Sequence, residues 1–249
     1  MNAASRQRLD EFLAERGIFP SRARARDAIL RGHVRVDGEP ARKPSQSVAV
    51  DAAITVDDPV GDYVSRAALK LIAGLDAFGF DPAGREALDI GASTGGFTQV
   101  LLGRGAPHVV AVDVGHGQMH PLIAGDPRVT LREGLNAREM VRDDLDARAI
   151  TMVVADVSFI SLRLALPPAL DLAEPGALGL FLVKPQFEAG REAIGKGGLL
   201  RDPGSAETVA EGVRDWFDTV PGWRSIGLVP SPIDGGDGNR EFLMGARKT

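Results

Sequence analysis

Four charged residues, Lys70, Asp156, Lys184 and Glu241, could act together on a single hydroxyl, and they accompany a glycine-rich run, Asp89-Ile-Gly-Ala-Ser-Thr-Gly-Gly-Phe-Thr98. A ribose 2′-hydroxyl is a poor nucleophile and must lose its proton as it attacks a methyl sulfonium, so a base is needed beside the reacting oxygen. A lysine amine can be that base when neutral, and nearby positive charge with partial burial favours the neutral form. On this reading Lys184 is the base, Lys70 its electrostatic tuner, and Asp156 and Glu241 the groups that orient the amine. A structural ion-pair network is the competing explanation for the same four charges.

The chemistry depends on the elements that end at these residues. Asp156 follows the apolar run 151–155 and Lys184 follows 178–183. A charged residue at the C-terminal end of a parallel strand stands at the crevice where open α/β sheets bind ligands. Further strands are expected at 87–90, 109–112 and 129–131, with helical stretches between. Several are apolar without polar alternation, as parallel strands covered on both faces are. The segments 226–229 and 241–245 are joined by a run rich in Gly, Pro and Asp with no helical character, which predicts an antiparallel pair at the end of the sheet. Glu241 then begins its strand at the edge where Asp156 and Lys184 end theirs. Lys70 would approach from a helix over 66–78, with Ser65 as its cap.

Gly91, Gly95 and Gly96 lie between the first strand of this region and a helix, where a nucleotide can approach the backbone closely; a tight turn is the structural alternative. A dinucleotide fingerprint would want glycine at Ser93, so Ala92-Ser93-Thr94 favours a cofactor without a pyrophosphate. Asp113 ends the second strand, where a carboxylate can accept ribose hydroxyls. Asn136, past the third strand, is a candidate for the adenine region and equally a helix cap. The turn Asp156-Val-Ser-Phe159 is not the Asn/Asp-Pro-Pro-aromatic turn that grips an exocyclic amine, which disfavours base N-methylation. The absence of cysteine in 249 residues removes thiol nucleophiles, disulfides and cysteine-based zinc sites. No metal site is expected.

Ahead of this region the sequence reads as a separate domain over 1–58, with a linker over 59–64 and the catalytic domain over 65–249. Two short helices, ended by Gly17 and Gly32, precede an alternating segment 33–36, the turn Asp37-Gly38, and strands at 48–50 and 54–56. Net charge is −5, yet residues 1–43 carry ten Lys and Arg against six Asp and Glu. Basic residues confined to a small module can supply phosphate contacts in an acidic protein. Arg6, Arg16, Arg22, Arg24, Arg26, Arg31, His33 and Arg35 are the candidates for RNA contact. No apolar signal core or stretch of roughly 18 apolar residues is present, so a cytoplasmic location is expected.

Ser65-Arg-Ala-Ala-Leu-Lys-Leu71, the glycine-rich run 89–98, Asp156-Val-Ser-Phe-Ile-Ser-Leu162, Lys184-Pro-Gln-Phe-Glu188 and Asn239-Arg-Glu-Phe-Leu243 together resemble the TlyA family of S-adenosylmethionine-dependent rRNA 2′-O-methyltransferases. The resemblance covers nearly the whole chain. It implies a Rossmann-like α/β methyltransferase sheet of FtsJ type, mostly parallel with its last strand antiparallel. It also implies a Lys-Asp-Lys-Glu tetrad on Lys70, Asp156, Lys184 and Glu241. The cofactor site would comprise Asp89, Gly91, Ala92, Ser93, Thr94, Gly95, Gly96, Phe97 and Thr98, with Asp113, Asn136 and Asp156. Ser21-Arg-Ala-Arg-Ala-Arg26 and Gly32-His-Val-Arg-Val-Asp-Gly38 are similar to the αL-motif RNA-binding domain of a ribosomal protein and pseudouridine synthases, with His33 where lysine is common. The linker lacks the basic and tryptophan residues of some relatives. The acceptor implied is a cytidine 2′-hydroxyl in ribosomal RNA, reached on the ribosomal subunits. The family's hemolysin label offers a membrane-lytic alternative, and an inactive RNA-binding regulator is another.

Overall fold

The computed structural model describes residues 6–19, 21–58, 61 and 63–249, and the chain divides into two compact units between residues 62 and 63. Of the expected linker, Pro59, Val60 and Asp62 lie outside the described residues, as do Met1 to Ser5 of the expected first domain and Pro20.

In the first unit, β1 (Arg6–Arg8) leads into α1 (Leu9–Glu15), followed by α2 (Arg22–Leu30). Ser21 starts α2, its Oγ accepting from Arg24 N at 3.3 Å. Next come β2 (Val34–Val36), β3 (Glu39–Pro40), β4 (Ser47–Ala49) and β5 (Ile54–Val56). The Asp37-Gly38 turn, with φ of 50° and 83°, closes the β2–β3 hairpin, and β5 pairs with the other edge of β2. β4 does not join this sheet. It pairs with β1, a strand whose polar Arg-Gln-Arg carries no apolar signal in the sequence. Leu9, Phe12, Leu13, Ala25, Ile29, Val34 and Val48 form the small core.

The second unit runs α3 (Ala67–Phe78), β6 (Glu86–Ile90), α4 (Gly96–Gly103), β7 (His108–Asp113), α5 (Pro121–Ala124), β8 (Val129–Glu133), β9 (Met152–Ala155), α6 (Leu162–Ala165), α7 (Pro167–Leu172), β10 (Leu178–Val183), α8 (Pro185–Glu188), α9 (Ala206–Phe217), β11 (Trp223–Pro230) and β12 (Phe242–Lys248). One seven-stranded sheet has the order β11-β12-β10-β9-β6-β7-β8. β10, β9, β6, β7 and β8 are parallel, and β12 is antiparallel to both β10 and β11.

Side chains alternate between the two faces of each strand. Leu88, Ile90, Val153, Phe181 and Met244 pack with the helices α6, α7 and α9 on one face. Ala87, Val154, Leu180 and Leu243 pack with α3 and α4 on the other. α9 shows why it docks: Ala206, Ala210, Val213 and Phe217 recur at helical spacing and are buried, while its acidic residues face out. The register Val183↔Phe242 puts the end of β10 and the start of β12 side by side, so Lys184 and Glu241 flank one edge of the sheet.

Candidate active site

The loop after β6 is fixed from two sides. Gly91 has φ of 80°, and a Cβ there would meet the Asp156 carbonyl oxygen at 2.5 Å. Only glycine permits that approach between the loops after β6 and β9. The glycine thus serves the internal packing of the edge as well as lining its cavity. On the other side, Asp113 at the end of β7 accepts from Ser93 N at 2.8 Å and from Gly115 N at 2.7 Å. Its carboxylate orders both loops and keeps further lone pairs for a ligand.

A cavity of about 570 Å³ opens at this edge, walled in part by Gly91, Asp113, Asn136, Asp156 and Phe159. That volume lies within the range of small-ligand sites. A smaller cavity of about 140 Å³ lies between Ser65, Thr94 and Lys184. Gly91, Ser93, Asp156 and Ser158 line both, so the two are neighbouring parts of one cleft.

The four charged residues form two ion pairs. Lys70 projects from the buried face of α3 and pairs with Glu241, both nearly inaccessible to solvent. Lys184 Nζ stands 2.6 Å from Asp156 Oδ1, at angles outside hydrogen-bond geometry, and donates to Ser158 Oγ at 2.8 Å. Lys70 therefore reaches Glu241 directly. Burial pushes the Glu241 carboxyl up from its ordinary range, and the charges of Lys70 and Lys184 oppose that rise. The Lys184–Asp156 pair is thus felt electrostatically at the Lys70–Glu241 pair.

The remaining cofactor candidates separate by position. Ser93 and Thr94 are exposed in the cleft wall, while Ala92, Gly96 and Phe97 are largely buried and still line the smaller cavity. Asp89 and Thr98 are fully buried and bonded to each other, Thr98 Oγ1 donating at 2.6 Å. Burial raises the Asp89 carboxyl to about 7. Asp89 lies on the face of β6 that meets α4, so it braces the loop from beneath. Asn136 caps a short 3-10 turn, accepting from Arg138 N at 3.1 Å, and also lines the larger cavity. Sequence reasoning does not single out Gln118 or Ser158. Gln118 accepts from Ser93 Oγ at 3.1 Å, and nothing in its sequence context marks it. Ser158 sits within the run 156–162, but a serine there carries no charge signal.

In the first unit the basic candidates also divide. Arg31 holds Asp58 with two hydrogen bonds of 3.0 Å and Asp27 with one of 3.1 Å. Its burial and these carboxylates act in opposite directions, and the partners raise it overall. Arg22 pairs with Asp10 and Glu11, and Arg6 is bonded to Ser47. Arg16 lies over the Phe12 ring, 4.5 Å from its centroid. Arg26 and Arg35 are exposed, Arg24 and His33 half-buried.

A mostly parallel sheet with one antiparallel strand next to its edge, a glycine loop after β6, and a lysine-bearing cleft at the C-terminal edge define an α/β methyltransferase. The FtsJ-like methyltransferase family matches residues 63–248, and the S4 domain matches residues 7–54. The 16S/23S rRNA (cytidine-2′-O)-methyltransferase TlyA of Mycobacterium tuberculosis is 45% identical over 98% of this chain and 91% of its own. Hemolysin A of Brachyspira hyodysenteriae is 36% identical over 95% and 98%. A solved hemolysin-named protein of Streptococcus thermophilus superposes with a TM-score of 0.76 at 38% identity, covering 99% of this chain and 90% of the other. The chain belongs to the TlyA family of rRNA 2′-O-methyltransferases.

Proposed function

We propose that this protein transfers a methyl group from S-adenosylmethionine to the 2′-hydroxyl of a cytidine in ribosomal RNA, acting in the cytoplasm on ribosomal subunits. The observation that carries the reading is the Lys184 amine, held between Asp156 and Ser158 in the wall of a cleft large enough for a nucleoside. The glycine loop and Asp113 suit a cofactor whose ribose hydroxyls need a carboxylate and whose other end carries no pyrophosphate. Bound S-adenosylmethionine supplies a methyl group on a positively charged sulfur, which leaves with the electron pair of the broken carbon–sulfur bond.

Lys184 takes the ribose proton as the hydroxyl oxygen forms its new bond to carbon, and later releases it to solvent. Asp156 balances the charge that Lys184 then carries. Glu241 and Lys70, a buried ion pair whose carboxylate feels the charge of Lys184, serve to orient and tune that amine. The first unit supplies RNA affinity through exposed basic side chains such as Arg26 and Arg35. Among the described residues no helix is long and apolar enough to cross a membrane.

Incubating purified ribosomal subunits with labelled S-adenosylmethionine tests the reading. The labelled nucleotide should resist alkaline cleavage at its 3′ phosphate, since that cleavage needs a free 2′-hydroxyl. Label on a base, or none in RNA, would refute it.

A further inference from the structure

A neutral amine has two N–H bonds and one lone pair, and it works as a base only when the lone pair faces the proton to be removed. Lysine brings a long flexible stem to this task, so its amine needs directional partners to fix the lone pair. Asp156 lies close to Lys184 Nζ at 2.6 Å but outside hydrogen-bond geometry, so it supplies charge with little direction. The hydrogen bond on the amine goes to Ser158 Oγ at 2.8 Å.

We infer that Ser158 is a positioning residue whose hydroxyl engages one N–H of Lys184 and so turns the amine's lone pair toward the acceptor ribose. The inference rests on Lys184 being the base. With one N–H held by Ser158 Oγ the amine no longer turns freely about its stem, and the lone pair is left a direction on the cleft side for the substrate. Ser158 lines both parts of the cleft, so it stands where the amine must be aimed.

The turn that carries Ser158 is built to hold it. Phe159, the next residue, has φ of 65°, a left-handed conformation that bulky side chains rarely adopt. Three residues beyond Ser158, Ser161 Oγ donates to Glu188 at 2.6 Å, and Leu162 N donates to the same carboxylate at 2.7 Å. Glu188 ends α8, which begins directly after Lys184. Its carboxylate is almost wholly buried and ties the Ser158 loop to the Lys184 loop. The two partners of the hydrogen bond thus sit on segments joined twice, once through Glu188 and once through the bond itself.

The test compares the full-length protein with Ser158→Ala and Ser158→Thr, measuring methyl transfer from labelled S-adenosylmethionine to purified ribosomal subunits. Ser158→Ala should lower kcat about tenfold, the scale of one hydrogen bond, while KM for cofactor and RNA stays within about twofold. Ser158→Thr keeps the hydroxyl at an exposed position and should stay within about threefold of the native kcat. Native kcat in Ser158→Ala would overturn the inference. So would a loss expressed as raised KM, a matching fall in melting temperature, or a threonine variant as poor as alanine. A native protein that places no methyl on ribose would instead bring down the base assignment, and this inference with it.

Discussion

Lys70 and Glu241, 171 residues apart in the chain, meet as a buried ion pair at the C-terminal edge of the sheet. The pair exists because β12 runs antiparallel, so its first residues lie where the parallel strands end, and because Lys70 is on the sheet-facing side of α3. Removing one member of a buried pair leaves the other charge without compensation, at a cost of about 3–5 kcal/mol. Lys70→Ala and Glu241→Ala should each lower stability on that scale by denaturant unfolding. Lys70→Met combined with Glu241→Leu should recover much of it and still lack activity. Full activity in the apolar double variant would make the pair merely structural.

Lys184 is open to a sharper discrimination. Lys184→Ala should reduce methyl transfer by about 100-fold or more, the range for loss of a general base, while calorimetric affinity for S-adenosylmethionine changes little. Lys184→Arg retains the positive charge beside Asp156 but cannot act as a base, because guanidinium stays protonated. An active arginine variant in single-turnover assays would reduce Lys184 to an electrostatic role.

Asp113 holds two backbone amides, so its loss has two parts. Asp113→Ala should weaken cofactor binding by about 1–3 kcal/mol, the cost of a charge-assisted hydrogen bond left unmade. It should also loosen the Ser93 and Gly115 loops, visible as faster amide exchange at those positions. Unchanged calorimetric affinity would remove Asp113 from the cofactor site.

Much of the sheet is legible in the sequence because several of its strands, such as β9 and β10, are continuous apolar runs that end in a turn signal or a charge. Asp156 and Lys184 give away the cleft in that way, as charges following 151–155 and 178–183. Ser158 is not legible: a neutral serine in a loop looks like any turn residue until the approach of Lys184 gives it a partner. The division of the tetrad into two pairs is also hidden, since sequence gives the edge on which a side chain lies but not which neighbour it reaches. The β1–β4 sheet escapes sequence reading because Arg6-Gln-Arg8 has no apolar alternation. The buried Asp89 reads as part of the glycine-rich loop, although the alternation from Ala87 places it on the inward face.

The basic residues of the first unit should behave as two groups. Arg26 and Arg35 are exposed, and Arg26→Ala or Arg35→Ala should shallow the salt dependence of RNA binding by up to about 0.7 to 0.9 for each phosphate no longer neutralised. Arg31 is occupied by Asp58 and Asp27, so Arg31→Ala should lower the melting temperature of the unit while leaving the salt slope nearly unchanged. A steep slope change from Arg31→Ala alone would reverse the division.

Asp89 ties stability to pH. Burial raises its carboxyl to about 7 from an ordinary 3.8, and Oδ1 has no hydrogen-bond partner among the described residues. Between those two values the folded state holds a proton that the unfolded chain has released, so stability falls as pH rises through that window. The loss is complete once pH passes the folded value of about 7. An asparagine at this position would be neutral throughout and its side-chain oxygen could still accept from Thr98 Oγ1, so Asp89→Asn removes the titration while keeping the bond. The melting temperature of Asp89→Asn relative to the native protein should therefore rise steadily from about pH 4 to pH 7 and level off above. Melting curves that stay parallel across that range would show that Asp89 keeps an ordinary carboxylate in the folded state.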